Sequence, residues 1–176
     1  VGTGEVCVAV VSCHPGGVDL RHSIPVMAVG RGGAVIQSYS DKTGELRQFL
    51  RQGLATGVGP QALLDAMQSN EPFGFTHRQI GIVDMVHAPA AYTGVDVKSG
   101  KLHRTGASGN LRYAIQGNVL AGEKVITRAE VALLTAQGDL GQRAMKALEM
   151  MAAMGGDGRC SCSLATPDAC GTPPPG

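Results

Sequence analysis

Tryptophan is absent from this 176-residue chain and aromatic residues make up only 3% of it, so the interior must be built from aliphatic and small side chains. An excess of either charge is missing too. Fifteen Lys and Arg stand against 14 Asp and Glu, a formal net charge of +1. Three Tyr and three Phe with no basic surplus supply neither an electrostatic footprint nor a stacking platform, which argues against nucleic acid as a partner. Apolar stretches such as Val6–Val11 and the neighbourhood of Leu148–Met154 fall well short of the ~18 residues of a spanning helix, so no membrane span is expected. The first residues lack a basic region followed by an apolar one. A secretion signal has therefore been removed or was never present.

Glycine, in contrast, is plentiful: 26 residues, about twice the usual ~7% share, so elements are expected to approach one another closely. Hydrophobic residues reach 43%, enough for one sizeable core, and a single domain over residues 1–154 is expected. Residues 155–176 form a Cys-, Gly- and Pro-rich irregular tail. Three of the five cysteines, Cys160, Cys162 and Cys170, lie in it. A disulfide from Cys170 to Cys160 or Cys162 would close a short loop and stabilise it by roughly 2–3 kcal/mol. The rival is zinc, but Cys-x-Cys with a third Cys eight residues on is not the paired spacing that grips one tetrahedral ion. Cys7, inside an apolar run, reads as a small buried hydrophobe. Cys13 is ambiguous.

Glu5–Ser12 reads as a nearly continuous apolar strand, which predicts burial on both faces. Ile24–Val29 and Ala34–Tyr39 read as a hairpin around Gly30-Arg31-Gly32-Gly33. Leu46, Phe49, Leu50 and Leu54 then follow a helical period that ends near Gly53 or Gly57, and Gly59-Pro60 opens a second helix to about Asn70. Strands return over Gln79–Met85, Ala88–Thr93 and Tyr113–Leu120, with a weak segment around Val95–Thr105. Two helices close the readable part, one carrying Val125, Ala129, Ala132, Leu133 and Ala136, the other Leu140, Ala144, Ala147, Leu148 and Met151. Strand group, helix pair, strand group, helix pair predicts an α+β fold rather than alternating parallel units.

Motifs for chemistry are sparse. Cys13-His14 suggests a nucleophile and a base, but neighbours on an extended strand point to opposite faces, so they meet only if the chain turns at Pro15. A structural role is the simpler reading. His22, His77, His87 and His103 are scattered without ligand spacing, Gly2-Thr3-Gly4 lacks the nucleotide-binding pattern, and the acidic residues lack the spacing of a calcium loop, so no metal or cofactor is expected. Gln116-Gly117-Asn118, at the end of an apolar strand, is the most informative polar insertion. Its amides beside a glycine could form an oxyanion hole. The alternative is that both bond neighbouring backbone, because buried amides left alone cost a few kcal/mol. Gln37-Ser38-Tyr39 is a similar polar strand end, and it could line the same cleft.

Thr3 to Ser12, then Gly33-Ala34-Val35-Ile36-Gln37-Ser38-Tyr39, Arg78 to Asp84, Ala90 to Gly94, and above all Tyr113-Ala114-Ile115-Gln116-Gly117-Asn118-Val119-Leu120-Ala121-Gly122 resemble one family. It is the domain of unknown function 1028 family, of the Ntn-hydrolase superfamily. The resemblance runs over essentially the whole chain and implies a four-layer αββα sandwich. It further implies amide-bond hydrolysis, in which an N-terminal Thr, Ser or Cys attacks a carbonyl while its own α-amine, of pKa near ~8, serves as base. Val1 carries no nucleophilic atom. Members usually have one more strand before the Thr-Gly-Glu turn and a final apolar strand after the tail, so the chain is expected to belong to a longer secreted or periplasmic protein with its nucleophile upstream of Val1. Self-cleavage before Thr3 is disfavoured by its place in the turn. The pocket candidates are Ser12, Gln37, Gln116 and Asn118, the partner a small amide or peptide substrate, and a homo-oligomer is expected. The alternative is a non-catalytic secreted protein that uses the same fold for binding or self-assembly.

Overall fold

The computed structural model describes residues 4–12, 19–39, 41–70 and 72–159. A one-turn helix, α1 (Leu20–Ser23), capped by the Asp19 carboxylate, leads into β1 (Pro25–Ala28) and β2 (Gly32–Gln37). They form the expected antiparallel hairpin, with Pro25 opposite Val35 and Ala28 opposite Gly32. α2 (Glu45–Thr56) stops where Gly57 takes a positive φ of 83° and returns its N–H to the carbonyls of Gly53 and Leu54, a conformation that suits glycine because it has no Cβ. α3 (Pro60–Asn70) turns back against it. A methyl built on Gly53 would sit 2.3 Å from Leu63 Cδ2, so glycine is what lets these two helices approach.

After the short α4 (Pro72–Phe75), β3 (Gln79–Asp84) and β4 (Ala90–Thr93) complete a four-stranded antiparallel sheet of order β1-β2-β3-β4. Along β2 and β3 the pleat divides the side chains. Ala34, Ile36, Ile80 and Ile82 are buried with Leu50, Leu54, Leu63, Leu64 and Met67 of α2 and α3, each large side chain stabilising the fold by about 1.5–3 kcal/mol. The opposite face carries Gln37, Gln79, Gly81 and Thr93, and the second sheet packs there. That sheet is a hairpin, β5 (Leu102–Ser108) with β6 (Leu111–Gly117), closed by Gly109-Asn110. Its outer face places Leu102, Leu111, Tyr113 and Ile115 against α5 (Lys124–Thr135) and α6 (Leu140–Ala153). Tyr113 and Arg104 both engage the Glu130 carboxylate on α5.

The α+β expectation and the antiparallel sheets agree with the structure. Three local readings change. Val95–Thr105, read as weak, contains the start of β5, whose Arg104, Thr105, Gly106 and Ser108 diluted the apolar alternation. The final strand ends at Gly117 rather than Leu120, leaving Asn118 just beyond it. Most consequentially, Gly4–Ser12 joins no ladder among the described residues. Only part of it is shielded, with Val6 and Val8 lying over Gly33 while Glu5, Ala9, Val11 and Ser12 are exposed. An apolar run reports a tendency to bury, whereas a strand also needs a hydrogen-bonding neighbour, which the run itself does not specify.

Candidate functional site

Gln37, Gln79 and Thr93 occupy one cross-strand row of β2, β3 and β4, so their side chains emerge side by side on the face that meets the hairpin. Gln79 is fully buried and is the hub. Its Nε2 shares two protons among three acceptors, Thr93 Oγ1 at 2.9 Å, the Gly117 carbonyl at 3.0 Å and the Leu102 carbonyl at 3.2 Å. Two of those acceptors are backbone carbonyls, which fixes the amide orientation because a carbonyl can only accept. On the other side Gln79 Oε1 accepts from Gln37 Nε2 at 2.8 Å and from Asn118 Nδ2 at 3.3 Å. Each of these two amides keeps a second N–H outside that bond.

Thr93 Oγ1 lies 2.7 Å from His103 Nδ1. Having accepted from Gln79, the hydroxyl has its own proton to donate, which favours the neutral tautomer with N–H on Nε2. Burial lowers the His103 pKa below the ordinary 6.5, keeping the ring uncharged. The chain on either side of the network is held in an unusual conformation. Ser38, following Gln37, has φ 77°, and Val119, following Asn118, has φ 54°. A β-branched residue in that region costs on the order of 1–3 kcal/mol and persists only where neighbours enforce it. Around Val119 the neighbours are explicit: its N–H donates to the Ser99 carbonyl, its carbonyl accepts from Gly158, and Leu120 bridges Asp157.

Ser12, Gln37, Gln116 and Asn118 all line one cleft of about 2320 Å³. Its walls are the inner face of β2 and β3, the hairpin, the 4–12 segment and the Ala144, Leu148 and Met151 side of α6. This exceeds the ~300–1,000 Å³ that encloses a drug-sized ligand. Gln116 sits one pleat from Gln79, over Gly81, where an added methyl would lie 2.7 Å from its Oε1. Both its Oε1 and its Nε2 are buried and, among the described residues, without a hydrogen-bond partner. Neither Gln116 nor Asn118 therefore satisfies itself on neighbouring backbone: Asn118 bonds a side chain of the facing sheet, and Gln116 has no partner among the described residues.

Sequence reading did not single out Gln79, Thr93 or His103 as site residues. A Gln opening an otherwise apolar strand before Ile80 was the available signal, but its partners lie 14 to 42 residues away. The other histidines stand elsewhere, beside Asp19, Asp96 and Asp84 for His22, His77 and His87 respectively. Burial opposes ionisation of Asp84, but the His87 ring, the Val86 and His87 N–H groups and the imidazole charge outweigh it, and its pKa falls below the usual carboxylate value. Among the described residues no cluster of three or more His, Cys, Asp or Glu could hold a metal ion, and no helix is long and apolar enough to cross a membrane. Cys13-His14 and the candidate disulfide partners Cys160, Cys162 and Cys170 lie outside the described residues.

An α+β protein with antiparallel sheets and an amide-rich cleft between them is the class that this geometry defines. The chain belongs to the family of unknown function DUF1028, whose model matches residues 1–166. A structure similar to it is the crystal structure of a Silicibacter pomeroyi protein assigned to DUF1028, with 20% sequence identity and a TM-score of 0.64. That match covers 75% of this chain, and the chain spans 58% of the other protein. No curated protein matches the chain.

Proposed function

We propose that the cleft binds a small amide or peptide and that the protein is an amide-bond hydrolase of Ntn type, with its nucleophile upstream of Val1. The layer order supports this reading: α2 and α3 cover one face of the four-stranded sheet, the hairpin packs on the other, and α5 and α6 cover the hairpin. This is the sequence of layers in an αββα sandwich. The observation that carries the functional part is the set of side-chain amides at the cleft, Gln37 and Asn118 braced by Gln79 and Gln116 left unpaired.

In this reading an N-terminal Thr, Ser or Cys attacks the substrate carbonyl and passes its proton to the α-amine. On the same reading the second N–H of Asn118, whose side chain is oriented by Gln79, stabilises the developing oxyanion. Thr93 and His103, though at nucleophile-to-base distance, do not line the cleft, and the Thr93 hydroxyl also accepts from Gln79. They brace the hub.

The test is N-terminal sequencing and intact mass of the native protein, followed by hydroxylamine trapping with a panel of small amides. A Thr, Ser or Cys start with hydroxamate release supports hydrolysis; a native start at Val1 with no hydroxamate overturns it. One observation favours a second reading, a non-catalytic binding module on the same fold. Gln37, Gln79 and Asn118 spend hydrogen-bonding capacity on one another, as groups bracing a surface do. Under that reading, blocking the N-terminus leaves ligand binding unchanged.

A further inference from the structure

A buried carboxamide without partners forfeits the hydrogen bonds that water gave it in the unfolded chain. Gln116 is in that position, although the Gln79 network one pleat away satisfies every one of its members at least once. Three observations connect the unpaired amide with the cleft. Gln116 is one of the residues that line the cleft, although its amide is turned onto Gly81. Gly81, the residue beneath it, leaves room for the amide, since a methyl there would be 2.7 Å from Oε1. Its register partner across the hairpin is His103, which is held neutral and already bonded to Thr93, so no fixed charge is supplied at that point of the site.

We propose that Gln116 is the ligand-recognition residue of the cleft. Its carboxamide turns from Gly81 into the cleft and pairs edge to edge with a neutral ligand group that offers an N–H and a C=O side by side, as in a primary amide or a lactam. A carboxamide presents one acceptor and two donors in a plane, so such a ligand makes two hydrogen bonds at once. An N-alkylated lactam, which has no N–H, makes one. Turning out of the packed position relieves an unsatisfied burial, so ligand binding and relief of that burial occur together. The inference rests on reading the cleft as a ligand site, but not on hydrolysis there.

The experiment compares the full chain with its Gln116→Met variant, which keeps the length and removes the polar atoms. Thermal unfolding is followed alone and with 2-pyrrolidinone, acetamide or N-methylpyrrolidinone, and the Gln116 side-chain NH₂ resonances are followed by NMR during the same titrations. The variant alone should melt higher by roughly 2 to 8 °C, since an unpaired buried amide is gone. 2-Pyrrolidinone or acetamide should raise the wild-type midpoint and shift the Gln116 resonances, and the stronger of the two identifies lactam or primary amide as the preferred source. Neither should affect the variant's midpoint, and N-methylpyrrolidinone, with one bond to make, should raise the wild-type midpoint less than either N–H probe and leave the variant unchanged. A lower midpoint for Gln116→Met would show that the amide is satisfied in solution and overturn the proposal. So would an equal response to N-methylpyrrolidinone, or no wild-type response to either N–H probe. Hydroxamate formation reads a different property, so amide pairing can hold where hydrolysis fails, and the reverse.

Discussion

Gln79 shows how much a single buried amide can organise. It joins β2, β4, both ends of the hairpin and the Asn118 turn through five hydrogen bonds, and truncating it would strand donors and acceptors on every one of them. Gln79→Leu is expected to destabilise the protein by roughly 2–4 kcal/mol in urea unfolding, far more than a similar change at exposed Gln68. His103 sets a pH dependence with a definite sign. Its pKa is lowered in the folded state, so below the ordinary imidazole value of 6.5 the unfolded chain binds the proton more readily than the folded one. Stability is then full above that value and falls as the pH drops through it towards the folded-state pKa. Unfolding measured across this window should show a shallower acid-side loss in His103→Gln than in the wild type; an unchanged slope would assign the loss to other groups.

At the scale of elements, α6 begins with a reciprocal cap: Asp139 Oδ1 accepts the Gln142 N–H at 2.8 Å, and Gln142 Oε1 accepts the Asp139 N–H at 2.9 Å. Replacing Asp139 by Ala should cost about 1 kcal/mol, measurable as a lowered urea midpoint with unchanged denaturant slope. The turn after β4 is less forgiving. A Cβ at Gly94 would stand 1.9 Å from the Thr76 carbonyl oxygen, and that carbonyl also accepts from Asp96. Gly94→Ala should therefore lose on the order of 2 kcal/mol or more, because backbone rather than a flexible side chain must yield. Elements with a strong period, α2, α3, α5 and α6, were legible from the spacing of their leucines, alanines and methionines. β5 was not, since four of its seven residues are polar and its pairing with β6 depends on a two-residue turn at Gly109-Asn110.

Across the whole molecule, two apolar cores flank one polar seam. Burial on both faces makes β3 the most protected strand, with Gln79, Ile80 and Ile82 at 0% exposure. Gly4–Ser12 touches the same sheet at Gly33 without a ladder of its own. Amide hydrogen exchange should accordingly be slowest in β3 and fast across residues 6–11. Protection of that segment at the level of β3 would mean that it is paired in solution as its apolar run predicts. Of the site, Gln37, Gln116 and Asn118 were legible because each interrupts or ends an apolar strand with an amide. Their hub was not, because an amide at the start of a strand is indistinguishable from a solvated one until the facing sheet is in place.

By itself the sequence determined the class and most of the elements: the 3.6-residue stripes, the short apolar alternations, the glycine turns and the lack of large aromatic anchors all act over a few residues. It also placed amides at strand ends. Tertiary structure decided which of them meet. The Gln37–Gln79–Thr93 row exists only through strand register, and the contact of Gln116 with Gly81 only through the packing of two sheets. The difference is one of range, since periodicity is set by neighbours along the chain, whereas desolvating an amide and choosing its partner are set by whatever the fold brings opposite it.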